Sequence, residues 1–198
     1  LKYILRQDPN IIMVGEIRDG ETAEIAVQAA LTGHLLLSTL HTNNAASAPT
    51  RLIDLGVQPF LIASSLIGVV AQRLLRRICP ACKAPWRPSD ELLEQFGASA
   101  EELARAELFK GKGCDACFGT GYRGRCGVFE LLTVSPRIAE LIERRASSVE
   151  IEEQAVREGM QTLLAAGLAR ALAGETTLEE VREHVLVWEQ CESAQGAR

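Results

Sequence analysis

Two short cysteine pairs constrain this chain more than any other feature. "CPAC" (79–82) and "CDAC" (114–117) set Cys79, Cys82, Cys114 and Cys117 as two C-x-x-C pairs. Each pair can grip one edge of a tetrahedral ion through two thiolates, the pattern of a four-cysteine zinc site. Two disulfides are the alternative. The chain is large, 47% hydrophobic and shows no export signal in these residues, which favours metal over a disulfide framework. The interval 83–113 is longer than in a minimal zinc ribbon, so the pairs specify the metal and leave the fold around it open. Glycines around the second pair allow the tight turns that wrap thiolates about an ion. Cys126 and Cys191 stand alone, and whether Cys126 substitutes for one of the four ligands stays open.

Ahead of the cysteines the pattern is α/β. "IIMVGEIRD" (11–19) reads as a buried strand that runs into Glu16, Arg18 and Asp19. "DGETAEIAVQAALTG" (19–33) has a helix signature: Asp19 as cap, Glu21 in the first turn and Gly33 after the end. "HLLLSTLH" (34–41) reads as a second buried strand, which makes a βαβ unit with parallel strands. A helix is expected over 45–56, and a long one over 59–77, buried first and basic at its end. The most apolar window, "FLIASSLIGVVA" (60–71), falls short of the roughly twenty residues that span a bilayer. The expected organisation is an α/β segment (1–77), a metal-stapled module (78–130) with an acidic helical stretch at 89–108 and a strand or hairpin at "RGRCGVFELLTV", and a helical tail (131–198). In the tail, Ser135 before Pro136 starts a helix, Ser147/Glu150 and Thr176/Glu179 fit capping boxes, and Gly159 and Gly167 interrupt the run 147–174.

The net charge of −5 gives no electrostatic reason to expect nucleic acid as the main partner. Residues two apart on a strand share a face, so Glu16 and Arg18 would point together at the carboxyl end of the first strand, where α/β sheets bind ligands. There Glu16 could serve as a general base for water or help to hold Mg2+, and Arg18 could pair with phosphate. A plain surface ion pair fits these two residues equally well. His34 and His41 bracket the second strand and would lie roughly 23 Å apart at 3.3 Å per residue, too far to share an ion. Only His41 sits at the carboxyl end, with Ser38, Thr39, Thr42 and Asn43. A role for His34 is not evident.

The stretch "ILRQDPNIIMVGEIRDGETAEIAVQAALTGHLLLSTLHTNNA" resembles the Walker B and histidine-box region of the type II secretion and type IV pilus assembly ATPases. "LIDLGVQPFLIASSLIGVVAQRLLRRICPAC", "GCDACFGTGYRGRCGVFELL" and "AGETTLEEV" extend the resemblance in the family's order, over roughly 1–185. It implies part of a RecA-like P-loop ATPase domain, followed by a tetracysteine zinc module and a helical region. Glu16 would be the Walker B glutamate and His41 the histidine that senses the γ-phosphate, with Gly15, Arg18, Gln72 and Arg73 also facing nucleotide or a neighbouring subunit. ATP, Mg2+ and Zn2+ are the implied cofactors. The implied assembly is a cytoplasmic homo-hexamer, peripheral at the inner membrane, that works with platform and adaptor proteins to drive pilin or pseudopilin assembly.

These residues contain no G-x-x-x-x-G-K-[ST] motif, so the phosphate-cradling loop of such a site is not among them. The chain therefore reads as the C-terminal portion of a motor that hydrolyses ATP in its full length. Two other functions compete. One is a non-enzymatic, zinc-stabilised interaction module. The other is a nucleic-acid-binding zinc protein, supported only by "RLLRR" (73–77) and "YRGR" (122–125) and opposed by the acidic balance. Secretion and pilus assembly are not separable from these residues.

Overall fold

Asp19 begins the first helix as its residue type requires: its carboxylate accepts from the Thr22 N–H at 2.8 Å. In the computed structural model, which describes residue 7 and residues 9–97 and 100–186, that helix is α1 (Gly20–Leu31). It connects β1 (Ile11–Met13) to β2 (Leu35–Leu37), which pair in parallel with Ile11 opposite Leu35 and Met13 opposite Leu37. The βαβ unit is thus present. Ala23, Ala26, Val27 and Ala29 form the buried face of α1, and their small side chains let it pack closely. His34 finishes the helix: its Nδ1 lies 3.0 Å from the Ala29 carbonyl and 3.1 Å from the Thr32 hydroxyl.

The chain divides into two compact units. The first takes the described part of residues 1–70 together with Leu131–Met160. Besides β1, α1 and β2 it holds α2 (Ser47–Asp54), α3 (Pro59–Ser65), α6 (Pro136–Glu143) and α7 (Ser148–Arg157). Helix α3 packs against α1 and α6, and Ile62, Ile138, Ile142 and Ile151 are fully buried between these helices and α7. Ser135 caps α6, and Ser147 with Glu150 closes a capping box on α7, as expected.

The second unit comprises Ala71–Glu130 and the described part of 161–198. It contains β4 (Lys83–Trp86), α4 (Asp90–Glu94), α5 (Ala100–Arg105), β5 (Leu108–Gly111), a 3-10 turn (Asp115–Cys117), α8 (Leu163–Leu172) and α9 (Leu178–Val181), which runs into a π-helical turn (Arg182–Leu186). Strands β4 and β5 pair antiparallel, Lys83 opposite Gly111 and Trp86 opposite Leu108. Leu75, Leu92, Phe96, Leu103, Val128 and Leu178 belong to one buried cluster. Two further strands, β3 (Gly68–Ile78) and β6 (Tyr122–Thr133), pair with each other and pass from one unit's residues into the other's.

Several expectations need correction. The helix expected over 59–77 stops at Ser65, and Leu66 is already extended. The chain then enters β3, because Ile67, Val69 and Val70 are β-branched residues that favour a strand and β6 supplies the ladder. The strands expected to be buried are short and half open: Ile12 is buried, yet Ile11, Met13, Leu35 and Leu37 are exposed, since β1 and β2 have only each other as described neighbours. The acidic helical stretch expected at 89–108 is present as two short helices, α4 and α5, with Leu108 already beginning β5. Gly159 does separate two helices, whereas Gly167 sits inside α8, where a Cβ would meet Val181 at 3.0 Å. It serves close packing rather than a break. The cap near 176 is Thr177, whose hydroxyl accepts from the Glu180 N–H at 3.3 Å, while the Thr176 hydroxyl donates to the Arg76 carbonyl at 2.8 Å. Cys191 and the end of the expected 176–188 helix lie outside the described residues.

Candidate functional site

Beyond β1 the chain continues alongside β2: the Val14 N–H donates to the Leu37 carbonyl at 2.9 Å and the Ile17 N–H to the Thr39 carbonyl at 3.0 Å. Glu16 is carried on this extension, at the carboxyl end of both strands. Its Oε2 accepts from Arg18 Nε at 2.6 Å, so the two side chains share a side as their spacing suggested. Its Oε1 lies 2.6 Å from His41 Nε2 without the alignment of a hydrogen bond, and that oxygen is buried with no hydrogen-bond partner. Arg18 and His41 are themselves open to solvent, with side chains 75% and 85% exposed against 20% for Glu16. The result is a carboxylate screened by two exposed side chains.

Gly15 precedes Glu16 and its carbonyl accepts from the Thr39 hydroxyl at 2.7 Å. Beside this extension is a groove of about 380 Å3 lined by Val27, Leu36, Leu40, Leu52, Leu66 and Val69 among others, none of them charged. A triphosphate would find no cation there. Gln72 and Arg73 belong to the second unit, on β3 rather than on a helix. As strand neighbours they face opposite sides: Gln72 is exposed, and Arg73 is half-buried with its guanidinium donating to the Gln72 carbonyl at 3.3 Å.

The four cysteines come together. Cys79 and Cys114 sulfurs are 3.9 Å apart, Cys82 and Cys117 3.9 Å, and Cys114 and Cys117 3.7 Å, with all four within 4.8 Å of one another. A tetrahedron built on zinc–sulfur bonds of about 2.3 Å has edges of about 3.8 Å, whereas a disulfide needs about 2.05 Å. The donor set fits zinc. The β4–β5 pairing is what makes the long interval workable, because it returns residue 112 to Cys82, whose carbonyl accepts from the Lys112 N–H at 3.1 Å. Where β5 meets the exit of the second pair, Gly111 and Gly121 touch: a Cβ on Gly111 would lie 2.0 Å from the Gly121 carbonyl oxygen. No side chain fits at that crossing.

The sulfurs differ in their surroundings. Burial raises the Cys117 thiol, but N–H groups of Cys114 and Gly121, each 3.2 Å from its sulfur, together with the neighbouring thiols, outweigh that and bring it down to about 6. For Cys82, burial and the three adjacent thiols push the other way, to about 11. Cys126 stands apart, donating to the Leu75 carbonyl at 3.7 Å, its thiol raised by burial. It is not in the cluster.

One buried ion pair was not evident from spacing. Glu180 is fully buried and accepts from the Arg76 backbone N–H and Nε, both at 2.8 Å, and from its NH2 group. Arg76 also stacks 4.3 Å from the Tyr122 ring centre, and Arg77 faces Glu175. Two arginines of the basic run 73–77 are thereby occupied within their own unit. The signal was present in "AGETTLEEV", where a glutamate amid buried Leu178 and Val181 needs a cationic partner.

Comparison with known proteins agrees with this geometry. The family model described as type II/IV secretion system protein matches residues 1–183. The type IV pilus assembly ATPase PilB of Thermus thermophilus is 56% identical over 181 residues, which are 91% of this chain and 20% of that protein. Type II secretion system protein E of Pseudomonas aeruginosa is 49% identical over 181 residues, 91% of this chain and 36% of that protein. The chain thus spans between a fifth and about a third of these relatives. Among solved structures, the pilus retraction motor PilT with bound ADP matches with a TM-score of 0.62 at 28% identity, over 92% of this chain and 41% of that one. With a family model running through both units and two such relatives, this chain belongs to the type II/IV secretion system protein family.

Proposed function

We propose that these residues are the C-terminal portion of a hexameric ATPase motor for type II secretion or type IV pilus assembly, with Glu16 as the base of its nucleotide site. The observation that carries this reading is the Glu16 carboxylate, held at the carboxyl end of a parallel βαβ unit between Arg18 and His41. ATP bound there with Mg2+ supplies the phosphoryl group to be transferred. Arg18 fixes Oε2, leaving Oε1 as the oxygen that takes a proton from water. His41 covers Oε1, and its exposed side chain is free to swing. Turning His41 out towards a γ-phosphate uncovers the base, which gives the histidine its sensing role. Gly15, Arg18, Gln72 and Arg73 are the further nucleotide or subunit contacts in this reading.

By sequence, 1–77 is the C-terminal half of a RecA-like domain, 78–130 the zinc module and 131–198 the helical region. Cys79, Cys82, Cys114 and Cys117 hold one structural zinc, which supplies cross-linking and no chemistry of turnover. Among the described residues no helix is long and apolar enough to cross a membrane. In this reading the motor is cytoplasmic, peripheral at the inner membrane, and acts on its platform and adaptor proteins rather than on nucleic acid. The experiment is Glu16→Gln in a chain of the relatives' full length that carries these residues. The amide keeps the shape but cannot accept the proton, so turnover should fall by about 10²–10⁴-fold, the usual worth of a general base, with ATP binding retained. Hydrolysis at the unaltered rate would end the assignment.

A further inference from the structure

The ladder between β1 and β2 changes step just before Glu16. Pairing is regular from Ile11–Leu35 to Met13–Leu37, and the Val14 N–H still reaches the Leu37 carbonyl. The next bond joins the Ile17 N–H to the Thr39 carbonyl. From Val14 to Ile17 is three residues, from Leu37 to Thr39 two, whereas a parallel ladder advances evenly on both sides. The extra residue is a bulge at Gly15–Glu16, a device that re-aims a side chain. It also explains why Ile17 is buried along with Ile12 despite their odd spacing.

Thr39 secures both flanks of this bulge. Its carbonyl holds the Ile17 N–H at 3.0 Å and its hydroxyl holds the Gly15 carbonyl at 2.7 Å. The peptide groups on either side of Glu16 are therefore tied to a single residue. An extra residue outside the ladder lacks the backbone partners that fix its neighbours, and the hydroxyl replaces one of them. We propose that Thr39 is a positioning residue for Glu16, setting the direction of its carboxylate through the Gly15 carbonyl. This rests on the reading of Glu16 as the base. A geometric error of about 1 Å at a reacting group can cost up to about a hundredfold in rate.

The test uses the full-length chain, with Thr39→Val, Thr39→Ser, Glu16→Gln and the double variant Thr39→Val/Glu16→Gln. Steady-state ATP turnover, binding of a non-hydrolysable ATP analogue and thermal midpoint are measured on each. Thr39→Val, which keeps the shape and removes the hydroxyl, should lower kcat by about ten- to a hundredfold with KM and analogue binding unchanged. Thr39→Ser, which restores the hydroxyl, should return kcat to near the parent value. In the Glu16→Gln background Thr39→Val should cost nothing further, since it acts only through that carboxylate. A parent-like kcat for Thr39→Val, or Thr39→Ser as slow as Thr39→Val, overturns the positioning role, as does a loss that multiplies on Glu16→Gln. Should Thr39→Val fail to fold, Thr39→Ala replaces it with the same expectations. Glu16→Gln inactive beside a normal Thr39→Val removes this inference alone. Glu16→Gln fully active removes the base assignment and this inference with it.

Discussion

The Arg76–Glu180 pair predicts an asymmetry that a simple count of lost contacts would miss. The Glu180 side chain is 1% exposed and that of Arg76 is 52% exposed. Arg76→Met leaves a buried carboxylate with one backbone N–H and His184 Nε2 3.7 Å away, and stranding a buried charge in this way costs about 3–5 kcal/mol. Glu180→Met strands nothing comparable, because the half-exposed guanidinium turns to water. What it loses is the acceptor for the Arg76 N–H, worth about 1–3 kcal/mol. The double substitution removes both charges and should resemble Glu180→Met, so it should be more stable than Arg76→Met by about 2 kcal/mol. The Arg76 pKa is raised above its ordinary value by the hydrogen bond to Glu180. A group whose folded value is raised contributes fully below the unfolded value, so the pair's contribution in the parent should be constant through neutral pH. Urea unfolding followed by hydrogen exchange of the β4 and β5 amides reads this unit by itself. A double variant less stable than Arg76→Met would refute the reasoning.

Two other outcomes are expected. Elemental analysis should find one zinc per chain, and Cys114→Ser should destabilise the second unit while the βαβ unit stays folded, because a structural zinc contributes on the order of 10 kcal/mol to its module; metal-free protein with all four thiols oxidised would rule this out. Asp19 and Glu150 are held below their ordinary values of 3.8 and 4.5 by the Thr22 N–H and the Ser147 N–H respectively. Both caps therefore contribute fully above those values and are lost only as pH falls through the lowered ones. Carboxyl titration by NMR checks this, and a midpoint at or above the ordinary value at either residue would contradict it.

Features written in local chemistry were readable in advance. The Asp19, Ser135 and Ser147 caps act within three residues of themselves, and the spacing of the C-x-x-C pairs marked out the four cysteines that the fold brings together. Features that depend on distant partners were not. "SSLIGVVAQRLLRR" has apolar residues enough for a helix, and its β-branched Ile67, Val69 and Val70 tip it to a strand once β6, some fifty residues later, offers a ladder. The place of Glu180 between Leu178 and Val181 hints at a paired acid, but that its partner is Arg76, about a hundred residues earlier, emerges only in the fold. The Glu16–Arg18 contact followed from a period of two, but the bulge beside it did not, since only the register of β1 against β2 exposes an extra residue.

The β4–β5 pair also bears on how the cysteine cluster would acquire the proposed zinc. In an open chain, bringing residues 82 and 114 together costs about 3 kcal/mol of loop-closure entropy by the logarithmic scaling with loop length. Either C-x-x-C pair can act first as a small chelate, since its two thiols are neighbours in the chain. The other pair would then bind as a tethered second ligand, at an effective concentration set by how completely β4 and β5 have paired. Leu92, Phe96, Leu103 and Leu108, buried in the same cluster, hold that tether short. If the cluster holds zinc as proposed, metal affinity would become a gauge of hydrophobic packing in residues that never touch the ion, and a cavity under the β4–β5 pair would be felt as faster zinc escape.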